Sequence, residues 1–351
     1  MRKRRVTFKD RENYVHCISR TINREFLLGD TEKEQFLRIM RKVEAFTGVQ
    51  VATYALMSNH FHILLAENER VELSDEALLD RLKAYYGAEN ATFLAHAAHL
   101  KQLRADGLEE AAREFHERFQ KRMNDVSEFM KTLKQCFTQW YNKKNNRIGT
   151  VWSDRFKSVL VEPGSEAMSY MAAYIDLNPV RADLVDDPKD YRWSGYGEAV
   201  AGGGRARLGL ERLYESDGTL SLALGKGQNA KWEVVGERYR VLVYERGVAK
   251  SDRWGNQLRP GFDRVEIQAV LDAGGSLPWH VLARCRLRYF TEGVMLGTAN
   301  YVETHEKRVR DMLGLKRKRH AKNLHEYAGS GLYLFRRFRA TQVSPPGPLR
   351  G

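Results

Sequence analysis

The sequence predicts an α+β fold in which an antiparallel sheet is packed by helices. A short β-prone run, NYVHCISR at 13–20, is followed by a stretch with apolar residues at helical spacing. Two apolar runs then follow, GVQVATYALM and HFHILLA, parted by the polar pair Ser58 and Asn59. Beyond residue 125 a further helix, strand and helix appear in the same style.

Each element has a local reason. In TEKEQFLRIMRKVEAF at 31–46, Phe36, Ile39, Met40 and Val43 share one helical face, and Thr31 with Glu34 forms a capping-box pattern. Ser58 and Asn59 read as a hairpin-like break between two strands. Residues 67–125 differ in kind: LSDEALLDRLKAYY and LEEAAREFHERFQKRM are charged, amphipathic and poor in β-branched residues, which predicts a helical insertion. A helix at about 126–143, a turn at KKNNRIG and a strand in RFKSVLVE come next. SEAMSYMAAYIDLNP is a helix that starts after Pro163 and Gly164 and stops before Pro179, because a residue preceding proline is pushed out of the α region. The order β-α-β-β-α-β with one more helix is that of a ferredoxin-like sandwich.

The glycine run AGGGRARLG makes 201–210 the expected linker, separating a domain at 1–200 from a smaller, mainly helical, basic C-terminal domain at 211–351. There, RVEIQAVLDAGG, PWHVLARCRLRYF and ETHEKRVRDMLG read as helices with a helix-turn-helix-like portion. The following stretch, LKRKRHAKNLHEYAGSGLYLFRRFRA, mixes cations with rings. Lys316, Arg317, Lys318 and Arg319 suit phosphate neutralisation and the rings suit base stacking, with a solvated basic face as the equally weighted alternative.

Composition narrows the partners. The 351 residues carry 58 Lys and Arg against 45 Asp and Glu, a net charge of +13, which favours an anionic partner. No stretch approaches the roughly 20 apolar residues that span a bilayer. The basic start MRKRRVTFKD has no apolar segment after it, so a cytoplasmic protein with no membrane partner is expected. Cys17, Cys136 and Cys285 form no CxxC pair and read as reduced, structural thiols.

The chemistry centres on His60 and His62. Side chains alternate along a strand, so both imidazoles point to one face, where they can chelate one divalent ion. Tyr174 and Asn178, four apart, share a helix face and bring a phenol beside an amide oxygen. Two imidazoles and one amide oxygen with open positions suit Mg²⁺ or Mn²⁺ acting on a phosphate. Tyr174 is then the natural nucleophile, aided by a metal that polarises the phosphate and stabilises the leaving 3′ oxygen. Tyr170, one turn earlier, competes for that role, and a packing aromatic is the plain alternative for Tyr174. Arg155 and Lys157 on one face of a strand, and Arg181 after the tyrosine helix, are placed to hold phosphates. Trp152 and Phe156 are equally suited to closing the core, and Asp154 to pairing with a neighbouring cation.

These residues resemble a known family, the insertion-sequence-200-like single-tyrosine HUH transposases, and within them the REP-associated tyrosine transposases. The resemblance rests on MSNHFHILL, on YNKKNNRIGTVWSDRFKSVLV, and on YIDLNPVRADLV followed by DYRWSGY, spanning roughly residues 13 to 196. It implies a ferredoxin-like HUH nuclease in which His60, His62 and Asn178 hold a divalent metal and Tyr174 attacks single-stranded or hairpin DNA. It further implies a 5′-phosphotyrosine intermediate, a free 3′-hydroxyl and rejoining by strand transfer. The insertion at 67–125 and the chain beyond about 205 depart from the short members of that family. A monomer is the expected state, with a homodimer as the other.

Three further readings remain open on the sequence. One is a host-serving HUH nuclease on repeats, and another is a nicking enzyme for replication or plasmid transfer. The third is a non-catalytic DNA-binding regulator with a vestigial histidine pair.

Overall fold

The computed structural model describes residues 6–215, 228–244, 289–314 and 332–335, with short strand pieces at 250–251, 257–259, 286–287, 322–323 and 343–344. Strands β1 (Asn13–Arg20), β2 (Gln50–Leu56), β3 (His60–Glu67) and β4 (Lys157–Val161) lie in the order β2-β3-β1-β4, with each neighbouring pair antiparallel. Helix α1 (Asp30–Thr47) joins β1 to β2, and α5 (Val126–Lys144) lies between β3 and β4. This is the ferredoxin-like order that the sequence predicts.

Strand alternation splits the core in two. Val15 and Cys17 of β1 with Phe61, Ile63 and Leu65 of β3 face one side, where α1 supplies Phe36, Met40 and Val43 and α5 supplies Phe129, Leu133 and Phe137. Tyr14 of β1 with Leu64 and Ala66 of β3 face the other, covered by Met168, Met171, Ala172 and Ile175 of α6 (Glu166–Asp176). Burial of both faces explains why β2 and β3 read as nearly unbroken apolar runs. Trp152 and Phe156 close the α1–α5 side of the core. The expected capping box is not made: Gly29 stands at the N-cap of α1 with no side-chain cap bond. Glu34 is instead drawn to Arg192, whose guanidinium donates to it at 2.8 Å.

The insertion folds as three helices, α2 (Asp75–Tyr86), α3 (Ala91–Ala105) and α4 (Glu109–Gln120). Ser74 and Asn90 cap the first two by accepting backbone N–H bonds. Their apolar faces, with Leu78, Leu82, Leu100 and Phe119, close on Phe46 of α1 as a core of their own.

Two expectations beyond residue 200 give way. The glycine-rich run is no linker: after α7 (Asn178–Arg181) and α8 (Gly195–Val200) it forms α9 (Gly204–Glu211), packed on β2. A Cβ on Gly209 would stand 2.5 Å from the carbonyl oxygens of Val51 and Ala52, so this glycine permits a close helix-on-strand approach. The described C-terminal residues are mainly helical, in α10 (Gln228–Tyr244), α11 (Tyr289–Glu292) and α12 (Ala299–Met312), yet they do not stand apart. Strand β5 (Met295–Thr298) pairs in parallel with β4, β6 (Lys322–Asn323) lies at the far edge, and β7 (Leu332–Phe335) joins them. One seven-stranded sheet results, β2-β3-β1-β4-β5-β7-β6. The apolar VMLGT and LYLF segments cover what would otherwise be an open edge at β4. Of the three segments expected to be helical, ETHEKRVRDMLG lies largely in α12, whereas RVEIQAVLDAGG, most of PWHVLARCRLRYF, Cys285 and Lys316–Arg319 lie outside the described residues.

Candidate functional site

Strand β3 carries His60 and His62 on the face turned to α6, with Phe61 and Ile63 in the opposite core. Their ring centroids are 5.2 Å apart. His62 is buried at 3% exposure, whereas His60 is half-buried at the end of the strand, opposite Arg20.

Hydrogen bonds fix the tautomers. Asn59 donates its Nδ2 to the Arg24 carbonyl at 3.1 Å, so its Oδ1 is the acceptor that meets His60 Nδ1 at 2.7 Å. His60 therefore carries its proton on Nδ1 and its lone pair on Nε2. Sequence reasoning misses His16. From β1 it sets Nε2 2.9 Å from His62 Nδ1 and Nδ1 2.7 Å from the Phe290 carbonyl, and its ring lies 5.1 Å from that of His62 with the planes 18° apart. Burial pushes His16 down to about 4, against the carbonyl's opposing pull, and burial with the neighbouring His16 and His60 holds His62 well below the usual imidazole range. The imidazoles of His16 and His62 are therefore neutral near pH 7.

Helix α6 brings the tyrosine. Ser165 caps its N-terminus by accepting from Ala167 N–H, and Tyr174, one turn from its end, is buried at 4% exposure. Its ring lies edge-on to His62 at 6.2 Å and to His16 at 6.4 Å. Phe290 of α11 stacks on it at 4.6 Å, and the Arg181 guanidinium sits 4.0 Å from its centroid. Tyr170 faces elsewhere, its hydroxyl donating to Glu166 at 2.9 Å near the surface.

Asn178 does not lie on the tyrosine helix as expected. Helix α6 ends at Asp176, and Asn178 opens α7 with Pro179 in its first turn, where a missing N–H costs nothing. The Asn178 amide nitrogen donates to the carbonyls of Tyr174 (3.3 Å) and Ile175 (3.1 Å), so the end of this amide suited to a cation is Oδ1. Arg181, expected to face phosphate, is buried at 6% exposure and donates to the Tyr174 carbonyl at 2.5 Å. Arg155 precedes β4 instead of lying on it, and Lys157 is its first residue; both are exposed. Lys157 pairs in register with Ile18, at the His60 end of the sheet. Among the described residues no group of three or more His, Cys, Asp or Glu side chains is placed to hold a metal ion. A divalent ion here would need the two imidazole Nε2 atoms plus an amide, phosphate or water oxygen, and of these donors it is the oxygens that suit Mg²⁺ or Mn²⁺.

Helix α6 is anchored from below by Asp176, which is fully buried. Its carboxylate accepts from Thr53 Oγ1 (3.0 and 2.9 Å), the Tyr239 hydroxyl (2.5 Å) and the Tyr196 N–H (3.1 Å). Burial raises it to about 7, while those donors pull the other way. Tyr239→Phe is expected to lower unfolding stability by about 1.5–3 kcal/mol, the contribution of one hydrogen bond to a charged group. Urea denaturation would measure this, and an unchanged midpoint would show that the network does not stabilise α6.

Residues 10–102, which include His16, His60 and His62, match the profile of a family described as "Transposase IS200 like". Over this stretch the chain is similar to IS200-like transposases. The matched segment ends inside the helical insertion, before Tyr174 and Asn178 are reached. Among solved structures, one titled "Structure of the REP associates tyrosine transposase bound to a REP hairpin" aligns at 15% identity over 58% of this chain and 87% of that one, with a TM-score of 0.37. No curated protein matches the chain. The IS200-like stretch thus holds the histidines, and the tyrosine and amide come from chain beyond it.

Proposed function

We propose that the protein is a metal-dependent single-stranded DNA endonuclease and strand transferase, a transposase acting on hairpin-forming repeat DNA through Tyr174. The observation that carries this reading is the meeting of β3 and α6: a buried tyrosine ring 6.2 Å from a histidine whose neighbour two residues away shares its face. In the proposed reaction the Tyr174 hydroxyl oxygen bonds to phosphorus, the bond from phosphorus to the 3′ oxygen breaks, and the phenol proton passes to solvent. The departing oxygen takes up a proton as a free 3′-hydroxyl, and the phosphate remains on Tyr174 as a 5′-phosphotyrosine. Attack by a 3′-hydroxyl on that ester reverses these bonds and joins the strands. Bound to His60, His62 and the Asn178 oxygen, Mg²⁺ or Mn²⁺ would neutralise charge on the phosphate. Arg181 supplies a fixed positive charge beside the Tyr174 ring.

Single-stranded DNA is favoured by the rim. The loop after β1 is tied to the turn before β3, with Leu28 N–H donating to Ser58 and Thr21 N–H to Asn59. It holds Phe26 at 79% exposure, with Arg20 and Arg24 also exposed. An exposed ring among cations suits an unpaired base and its phosphates. Phe26→Ala is expected to weaken single-stranded DNA binding by about 1–3 kcal/mol and to leave duplex binding unchanged. Fluorescence anisotropy on the two DNAs checks this.

The reading is tested with labelled hairpin-bearing single strands and Mn²⁺, resolved on a denaturing protein gel. A covalent band is expected, lost with excess chelator and in His60→Ala and His62→Ala, while DNA affinity persists because cations away from the histidines supply the phosphate contacts. Cleavage in chelator would sink the metal role. Absence of any adduct would favour the non-catalytic regulator.

A further inference from the structure

We infer that His16 is a positioning residue that locks His62 in the tautomer and orientation a metal requires, with the backbone at Phe290 setting His16 in turn. The inference rests on His62 being a metal ligand, as proposed above, and adds a residue to that site.

The direction of each bond follows from chemistry. A carbonyl oxygen only accepts, so the 2.7 Å contact between His16 Nδ1 and Phe290 O requires the His16 proton on Nδ1. The Nε2 of that neutral ring is then bare and can only accept, so the 2.9 Å contact requires His62 to donate from Nδ1. With its proton on Nδ1, His62 has its lone pair on Nε2, the one nitrogen left to bind a cation. Were His16 Nε2 to donate to His62 Nδ1 instead, the neutral His62 ring would carry its proton on Nε2 and coordination would be blocked. The two ring planes are 18° apart with centroids at 5.1 Å, so the 2.9 Å bond runs nearly in the plane of both rings, and turning His62 out of that plane would break it. Metal-bound histidines generally donate their second ring N–H to a carboxylate, carbonyl or water. Here another histidine accepts instead. It is neutral, so it adds no negative charge beside the ion, and its own tautomer depends on a backbone atom from a distant segment.

The test uses the full-length chain and two variants of different chemistry. His16→Gln keeps an acceptor, its amide oxygen, near the position of Nε2, whereas His16→Leu removes it. By titration with Mn²⁺ alone, followed by electron paramagnetic resonance, His16→Leu is expected to weaken binding about 10–100-fold. His16→Gln is expected to stay close to the unsubstituted protein. A role in packing alone would affect both variants alike in thermal melting and separate neither in Mn²⁺ affinity, and that result overturns the inference. A second measurement needs no metal. Long-range ¹H–¹⁵N spectra of histidine-labelled, metal-free protein should show His62 protonated on Nδ1, and His62 protonated on Nε2 would also overturn it. If the unsubstituted protein binds no Mn²⁺, the metal reading falls by itself, and these spectra still decide whether His16 sets the His62 tautomer. Should His16→Leu fail to fold, spectra of the unsubstituted protein and of His16→Gln still distinguish the two His62 tautomers.

Discussion

Tyr174→Phe is expected to eliminate the covalent protein–DNA band on hairpin DNA while leaving Mn²⁺ and DNA affinity close to those of the unsubstituted chain. Only one oxygen is removed. The phenylalanine ring keeps the stack on Phe290 and the approach of the Arg181 guanidinium, so the fold has little reason to change. Loss of a nucleophile costs at least about 10³-fold in rate, which puts the adduct below detection. Tyr170→Phe, whose hydroxyl bonds Glu166 away from the histidines, serves as the control and should retain full activity. Asn178→Ala should fall between, because water can replace a neutral oxygen ligand. Persistence of the band in Tyr174→Phe would move the nucleophile elsewhere.

Deleting residues 212–351 is expected to abolish cooperative folding of the remainder. The deletion strips Val235, Tyr239, Val243, Phe290, Leu296, Leu332 and Leu334 from the core on the α6 side. It also strips Met295, Tyr301, Val302, Val309 and Phe335 from the α1–α5 side. At about 1.5–3 kcal/mol for each fully buried side chain, the loss exceeds the whole stability of a typical domain, about 5–15 kcal/mol. Strand β4 would also become an open edge, prone to pairing between molecules. Size-exclusion chromatography and circular-dichroism melting should find aggregates or a non-cooperative transition. A soluble 1–211 fragment with a sharp melt would show that the first 200 residues stand as a domain.

The shared face of His60 and His62 and the helix that carries Tyr174 were legible because each follows a physical period. A strand alternates, so His60 and His62 share a face whatever the rest of the fold does; the proline at 179 marks where the tyrosine helix must stop. His16 had no such signal. A lone histidine in an apolar strand reads as core, and only the contact with a carbonyl 274 residues further on gives it a role. Arg181 read as a surface cation because it follows a helix, but the second turn around Pro179 folds it back under Tyr174. The glycines at 202–204 and 209 are ambiguous by nature, since the residue that loosens a linker also lets a helix lie on a strand. Strands β5 and β7, four residues each, are too short to show a period, and β7 lies in a stretch whose charge drew attention to DNA instead.

The position of Phe290 constrains how DNA could reach the phenol. Its ring covers Tyr174 while its carbonyl holds His16, so lifting α11 away would bare the tyrosine and release the histidine pair in the same movement. An opening that exposes the phenol and keeps His62 aligned must leave the backbone of α11 in place. The motion that fits is a turn of the Phe290 side chain about its own χ angles, a rotamer change rather than the swing of a segment. On the proposed reading, an incoming base would take the place of that ring by stacking where it had been.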